Sequence, residues 1–167
     1  MKPLAEQMAM YAAYHRNPRN RATHFIGVPA IAFAILIPMA WASVWLGDAR
    51  ISLAMVFTVG VLIYYLALDR PLALASAILF IPMLIAAEWV AAQGKATGLW
   101  TFAAFFVGGW VFQLLGHVWE GRKPALADNL MQIFVAPLFL MVEAAQLLGL
   151  RRDLQTAVAA RLPAYLP

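Results

Sequence analysis

The feature that most constrains this chain is a succession of long stretches without a single charge, divided by very short connectors. Phe25 to Leu46 runs 22 residues without Asp, Glu, Lys or Arg, and Ile51 to Leu68 runs 18. Pro71 to Ala87 gives 17 before Glu88, and Leu99 to Gly116 gives 18. A helix needs roughly 20 apolar residues (range about 17–25) to cross the hydrocarbon core of a bilayer, so each stretch suffices. Composition argues against a water-soluble fold built from the same helices. Of the 167 residues 64% are hydrophobic and 12% charged, against about 25% charged in a soluble domain. That is too little charge to cover a water-facing surface. The sequence therefore predicts an all-α, multi-pass membrane helical bundle forming one domain over 1–167. Transmembrane helices are expected over 25–46, 51–68, 71–92 and 99–118, after an interfacial segment over 1–24.

A fifth apolar segment, Leu130 to Leu150, is interrupted by Gln132, Pro137, Glu143 and Gln146. It reads as a membrane-associated helix that faces protein on one side. Residues 1 to 13 hold Glu6 and Gln7 and offer no small-residue cleavage site, so the first span is expected to be a retained anchor. The absence of cysteine excludes disulfides, thiolate zinc sites and iron–sulfur clusters. Positive charge collects on the cytoplasmic side of membrane proteins. With the N-terminus inside, Lys2, Arg16, Arg19, Arg21, Arg70, Arg122 and Lys123 lie on that side, and only Arg50 and Lys95 lie opposite before the fifth segment. Arg151, Arg152 and Arg161 then favour an even number of crossings. The net charge of +4 reads as topology and not as nucleic-acid binding.

This topology returns the fourth span to the face from which the first departs. All three histidines, His15, His24 and His117, then meet at one membrane face. Residues 4 to 15 read as a short amphipathic helix, with Leu4, Met8, Tyr11 and His15 on one side, suited to lying on the bilayer interface. "NPRN" (17–20) reads as a turn, with His24 at the mouth of the first span. Gln113, His117 and Glu120 share a face at i, i+4 and i+7, and Gly116 allows close approach beside His117. On the fifth segment Asp128, Gln132, Glu143 and Gln146 form a polar stripe, which in lipid must face protein or a wet cavity.

Imidazoles with a carboxylate suit iron, zinc or manganese, and two His with one carboxylate leave open positions on Fe(II). His15, His24, His117 and Glu120 are the candidate ligands. On spacing alone a second reading stays open, in which these groups merely hydrogen-bond to lipid headgroups and helix ends. Other chemistries are disfavoured. Three histidines are too few for di-iron desaturase boxes, and no HExxH motif is present. Ser43 and Ser52 lie toward the face opposite the histidines, and three interfacial His fit a bis-His haem poorly. Glu88 reads as structural. Arg16, Arg19, Arg21 and Arg122 read as headgroup anchors, any of which could also fork onto a substrate carboxylate.

Two blocks together, "YHRNPRNRATHFIGVP" (14–29) and "QLLGHVWEGRKPAL" (113–126), resemble the small multi-pass membrane family of 2-hydroxy fatty acid dioxygenases, formerly filed as a domain of unknown function. The resemblance spans essentially the whole chain. It implies an Fe(II)-dependent oxidoreductase that uses dioxygen to shorten a 2-hydroxy fatty acid by one carbon, without 2-oxoglutarate. His15, His24 and His117 match the family's histidines, and Glu120, Asn20 and Gln113 occupy its other polar positions. Asn20, Gln113, Arg19 and Arg122 are thus expected around the metal or substrate. The short, Ala-rich chain suggests a bacterial relative in the inner membrane, with the site on the cytoplasmic side. An octahedral ion with three protein ligands keeps room for the carboxylate and hydroxyl of such a substrate. The non-catalytic alternative is a lipid-binding or assembly module, and a third is a metal-dependent lipid hydrolase.

Overall fold

The structure, a computed structural model, describes residues 2–124 and 131–166. Among these, seven α-helices follow in order: α1 Leu4–Ala12, α2 Pro18–Trp41, α3 Leu53–Leu68, α4 Arg70–Ala92, α5 Lys95–Glu120, α6 Gln132–Leu147 and α7 Arg152–Arg161. A two-stranded hairpin, β1 Ser43–Leu46 and β2 Ala49–Ser52, lies between α2 and α3, and a short 3-10 turn, Leu162–Tyr165, closes the chain. The all-helical expectation holds. Ala125, Leu126, Asp128 and Leu130 of the sequence reading lie outside the described residues.

Three helices, α2, α4 and α5, are long and apolar enough to cross a membrane. At 1.5 Å per residue, α5 with its 26 residues reaches about 39 Å. The 16 residues of α3 reach only about 24 Å, short of the ~30 Å hydrocarbon core. Of the four spans read from charge-free runs, three correspond to long helices and the second to the shorter α3, and the fifth apolar segment contains the shorter α6. Ile78, Trp100 and Val118 point outward, each at least 75% exposed, as lipid-facing residues would.

The boundaries of the first span move toward the N-terminus. The Asn17 side chain accepts the Arg19 backbone N–H at 2.9 Å and caps the helix. Pro18 follows at the first helical position, where its fixed φ and missing N–H cost nothing. "NPRN" is therefore the start of α2 and not a free turn, and His24 lies inside the helix. At the other end the apolar run continues but the helix does not. Ser43 to Leu46 pair with Ala49 to Ser52 in antiparallel register. Gly47 takes φ +61 at the first loop position, as a two-residue hairpin loop demands. Charge-free runs report burial in lipid, and a hairpin of Val, Trp, Leu and Ile passes that filter as easily as a helix.

Arg50 on β2 donates to Glu88 at 2.7 Å and to the Ala40 carbonyl, and Ser52 donates to the same carboxylate. This knot ties the hairpin to α4 and gives Glu88 the structural role expected of it. At the opposite end, α1 departs from the sequence reading. Leu4, Met8 and Tyr11 are all at most 8% exposed and join Tyr65, Leu138 and Phe139 in the core. The apolar face of α1 thus packs into the protein, where α6 supplies more hydrocarbon contact than an interface would, and it is not laid on a bilayer. Residues 152–161, unassigned from sequence, form α7, which packs on α1.

The most extensive helix pair is α2 with α5, and it positions the site. The two run antiparallel: Gly98 meets Trp41, Gly109 meets Gly27 and Ile31, and Gly116 meets Asn20 and Thr23. A Cβ on Gly27 would come within 2.8 Å of the Gly109 carbonyl. Small residues at these crossings let the backbones approach closely. His24 and His117 are thereby brought together.

Candidate metal centre

His15 lies just past α1, His24 in the second turn of α2 and His117 in the last turn of α5. All three are at least 93% buried, at 3%, 2% and 7% exposure. Their ring centroids lie 4.4 Å (15–24), 5.1 Å (15–117) and 5.1 Å (24–117) apart. One ring nitrogen from each can be chosen so that all lie within 4.8 Å of one another.

Each ring is oriented by a backbone carbonyl. Nδ1 of His15 bonds to Tyr11 O at 2.7 Å, that of His24 to Asn20 O at 2.8 Å, and that of His117 to Arg122 O at 3.1 Å. A carbonyl can only accept, so each Nδ1 carries the proton and each Nε2 is left with a lone pair. The third bond depends on Gly121, whose φ of +69 ends α5 in the left-handed conformation. Glycine meets no steric cost there, and the turn brings the Arg122 carbonyl back to His117. Tyr11 adds a parallel ring 4.1 Å from His15 with an interplanar angle of 6°.

The consequence is a contact that protein atoms alone do not stabilise. Nε2 of His15 and Nε2 of His24 stand 3.0 Å apart, two lone pairs facing each other. A cation placed between them would pair with both. Burial, with the neighbouring His24 acting in the same direction, holds the His15 imidazole down to about 2, so an added proton is disfavoured. A metal ion fits: two nitrogens each about 2.1 Å from an ion at a right angle are about 3.0 Å apart. An imidazole whose other nitrogen is bonded to a carbonyl is the usual form of a metal ligand.

The His15 shift has a testable corollary. The unfolded chain takes up this proton near 6.5, and the folded, metal-free protein does not until about 2. Between those values the unfolded state binds more protons, so stability rises with pH and falls as pH drops below about 6.5. This group contributes about 1.4 kcal/mol per pH unit in that window. Thermal unfolding of metal-free protein at pH 7 and pH 5 should show the drop, and bound metal should raise stability at both values without removing it, because the liganded imidazoles also stay unprotonated.

Glu120, expected as a fourth ligand, is engaged elsewhere. Its Oε1 accepts the Arg16 N–H at 3.0 Å, and its Oε2 accepts the Asn17 N–H at 2.8 Å and Asn20 Nδ2 at 3.0 Å. The carboxylate buckles the segment carrying His15 onto the end of α5. Among the described residues the convergent group is the three histidines without it. The i, i+7 spacing put Glu120 on the right face, but the Arg16 and Asn17 N–H groups at the turn before α2 take its oxygens. Asn20, fully buried, reinforces the buckle by donating to the Tyr14 carbonyl at 3.1 Å while its own carbonyl receives His24.

Arg122 also acts on this segment. It donates to the Ala13 carbonyl at 2.9 Å, and its guanidinium lies 3.6 Å from the Tyr14 ring centroid, a cation–π contact. Arg19 is exposed and stands outside the group, contributing its backbone N–H to the Asn17 cap. Arg21 pairs with Glu143 at 3.0 Å, joining α2 to α6. Gln113 is buried, one helical turn before His117, and faces the same cavity.

That cavity, about 250 Å³, begins at the three histidines and continues between the helices. Beyond His24 its wall on α2 is Val28, Ile31, Ala32 and Ile35, faced by Phe57, Phe80 and Phe134. From His24 to Ile35 is eleven residues, about 16 Å along the helix axis. A polar, metal-competent end and a long hydrocarbon body suit an amphiphile with one reactive head. Sequence reasoning missed the carbonyl of Arg122 and the stacked Tyr11. The latter was visible as the residue four before His15 on the same face.

A helical chain of membrane-length apolar segments, with three buried histidines at the head of an apolar cavity, defines a class of membrane-type helical protein with a candidate metal centre. The chain belongs to the Mpo1-like family: the family profile, described as 2-hydroxy-palmitic acid dioxygenase Mpo1-like, matches residues 1–148. It is 36% identical over 145 residues to the 2-hydroxy-palmitic acid dioxygenase MPO1 of Saccharomyces cerevisiae, covering 84% of this chain and 78% of the yeast protein. That relative is by its name an oxidoreductase. No solved structure matches the chain.

Proposed function

We propose that this protein is an Fe(II)-dependent dioxygenase that shortens 2-hydroxy fatty acids by one carbon, with His15, His24 and His117 holding the metal. The observation that carries the reading is the convergence of three imidazoles, each with Nδ1 bonded to a carbonyl, including two Nε2 atoms 3.0 Å apart. Family membership supports the substrate class. A ferrous ion, when bound, supplies the one-electron chemistry that dioxygen requires. One 2-hydroxy acid and one dioxygen balance to an acid one carbon shorter, one carbon dioxide and one water, so no co-reductant is needed.

The chain's own residues do the rest. Three neutral imidazoles add no negative charge, so a divalent centre held by them attracts a carboxylate head. Val28, Ile31, Ile35 and Phe57 receive the acyl tail and exclude water from the head. Glu120, Asn20 and Arg122 fix the segment on which His15 sits, as positioning residues. Lys2, Arg16, Arg19, Arg21 and Arg122 lie toward the histidine end of the sequence topology and Arg50 and Lys95 toward the other, which supports a cytoplasmic site.

The activity is tested by oxygen uptake on adding 2-hydroxypalmitate to the purified, iron-loaded chain, with the acid one carbon shorter as product. No uptake with iron confirmed present would overturn the assignment. The role given to Glu120 is tested by Glu120→Gln. The amide nitrogen then faces either the two N–H donors on Oε2 or the one on Oε1, which loosens the segment. Iron affinity should fall about tenfold, the range of losses for groups that orient ligands, with the metal still bound. Complete loss of iron at saturating concentration would make Glu120 a ligand instead.

A further inference from the structure

We infer that Gln132, in the first turn of α6, selects the 2-hydroxyl group of the substrate by pairing its side-chain amide with it inside the cavity. This rests on the reading above that the substrate is a 2-hydroxy fatty acid, and it names the residue that tells that acid from an ordinary one.

Gln132 is 6% exposed and lines the same cavity as the three histidines. Its amide oxygen is buried and receives no hydrogen bond. Leaving a buried acceptor unpaired is costly, and native proteins keep few such groups without a reason. The neighbouring polar groups are already committed. Tyr65 donates its hydroxyl to the Phe134 carbonyl at 2.7 Å. A second cavity on the other side of Gln132 contains Gln7 and Tyr64, but these two bond to each other at 2.6 Å, and the Gln7 amide nitrogen donates to the Lys2 carbonyl at 2.8 Å. Gln113 and Trp110 also line the cavity, yet neither pairs with the Gln132 oxygen, and apart from the histidines the remaining wall is largely hydrocarbon.

The missing partner is therefore a ligand with a donor close to its polar end. An ordinary fatty carboxylate offers acceptors only. A 2-hydroxy acid adds one O–H donor on the carbon next to the carboxylate. The terminal torsion of glutamine is broad and roughly two-fold, so the amide can turn its oxygen to that hydroxyl and its nitrogen to the adjacent carboxylate. Palmitate offers its carboxylate to the amide nitrogen but no donor to the amide oxygen, which would stay unpaired. A site built to pair with a hydroxyl rejects the analogue that lacks it, because the site's own group is stranded.

The test compares Gln132→Leu with wild type in the full-length, iron-loaded chain, kept anaerobic so that nothing turns over. Affinities for 2-hydroxypalmitate and palmitate are read by displacement of a fluorescent fatty acid. In the variant 2-hydroxypalmitate should bind about tenfold more weakly, the loss of one buried hydrogen bond, with palmitate unchanged. Their ratio then falls about tenfold. An unchanged ratio, or equal weakening of both ligands, overturns the role of Gln132. Wild-type protein that binds neither acid overturns the substrate reading and this inference with it. Gln132→Met, which matches the side-chain length, is read by the same criteria if Gln132→Leu does not retain its helicity.

Discussion

Replacing any one of His15, His24 or His117 with alanine should strip the protein of stoichiometric iron while leaving its helices in place. Each histidine supplies one of three convergent nitrogens, and two nitrogens on separate helices hold an ion far more weakly than three. Losing groups that merely orient ligands costs about 10- to 100-fold in affinity, so loss of a ligand itself should cost at least about a hundredfold. Helicity should survive because the rings bond to carbonyls at helix ends and turns and do not carry the main α2–α5 contact. Metal content after dialysis, read beside far-ultraviolet circular dichroism, checks this. A helical variant that keeps its iron would remove that histidine from the site.

The second large effect is expected from Gly116. A Cβ there would overlap Asn20 Oδ1 and Thr23 Oγ1 and approach Asn20 Cα at 3.2 Å. Asn20 cannot yield freely, because its side chain holds Tyr14 and Glu120 and its carbonyl holds His24. Two effects of Gly116→Ala oppose each other. Helix propensity favours alanine by about 1 kcal/mol, whereas forcing an atom into a filled contact costs about 1–3 kcal/mol. The backbone-tight contact decides the sign, and the variant should be less stable with iron affinity reduced at least about tenfold. Gly108 lies in the same helix and a Cβ there meets nothing within 4 Å. Gly108→Ala should therefore be neutral or slightly stabilising. Thermal melts and iron titration of the pair separate the helix term from the contact term. Equal behaviour of the two variants would contradict the account of the α2–α5 crossing.

The meeting of the histidines was expected from a topology in which the fourth span returns to the face that the first leaves, and the antiparallel pairing of α2 with α5 brings His24 and His117 to the same end. The three long helices were legible for a similar reason, since charge-free length is set by the bilayer. What the runs do not encode is where hydrogen bonding changes type. The Asn17–Pro18 cap starts α2 seven residues before the run begins, because charged Arg19 and Arg21 break the apolar count without breaking the helix. The hairpin at 43–52 straddles the gap between two apolar runs, where Asp48 in its turn and Arg50 on β2 read equally well as a loop between two helices.

Within the site, side-chain direction was readable from spacing, but competition was not. Glu120 lies on the expected face, yet two unsatisfied N–H groups before α2 take its carboxylate. The three carbonyls that orient the rings carry no residue-type signal at all. Gln132 was visible as a polar interruption of an apolar segment, although only the cavity shows what it faces.

The central claim is that three histidines hold one iron, and the most direct measurement is the metal content of the full chain purified without chelators or a histidine tag. The account predicts one iron per chain, lost in His24→Ala. Absence of stoichiometric metal, or zinc in its place with turnover that does not need oxygen, would contradict it.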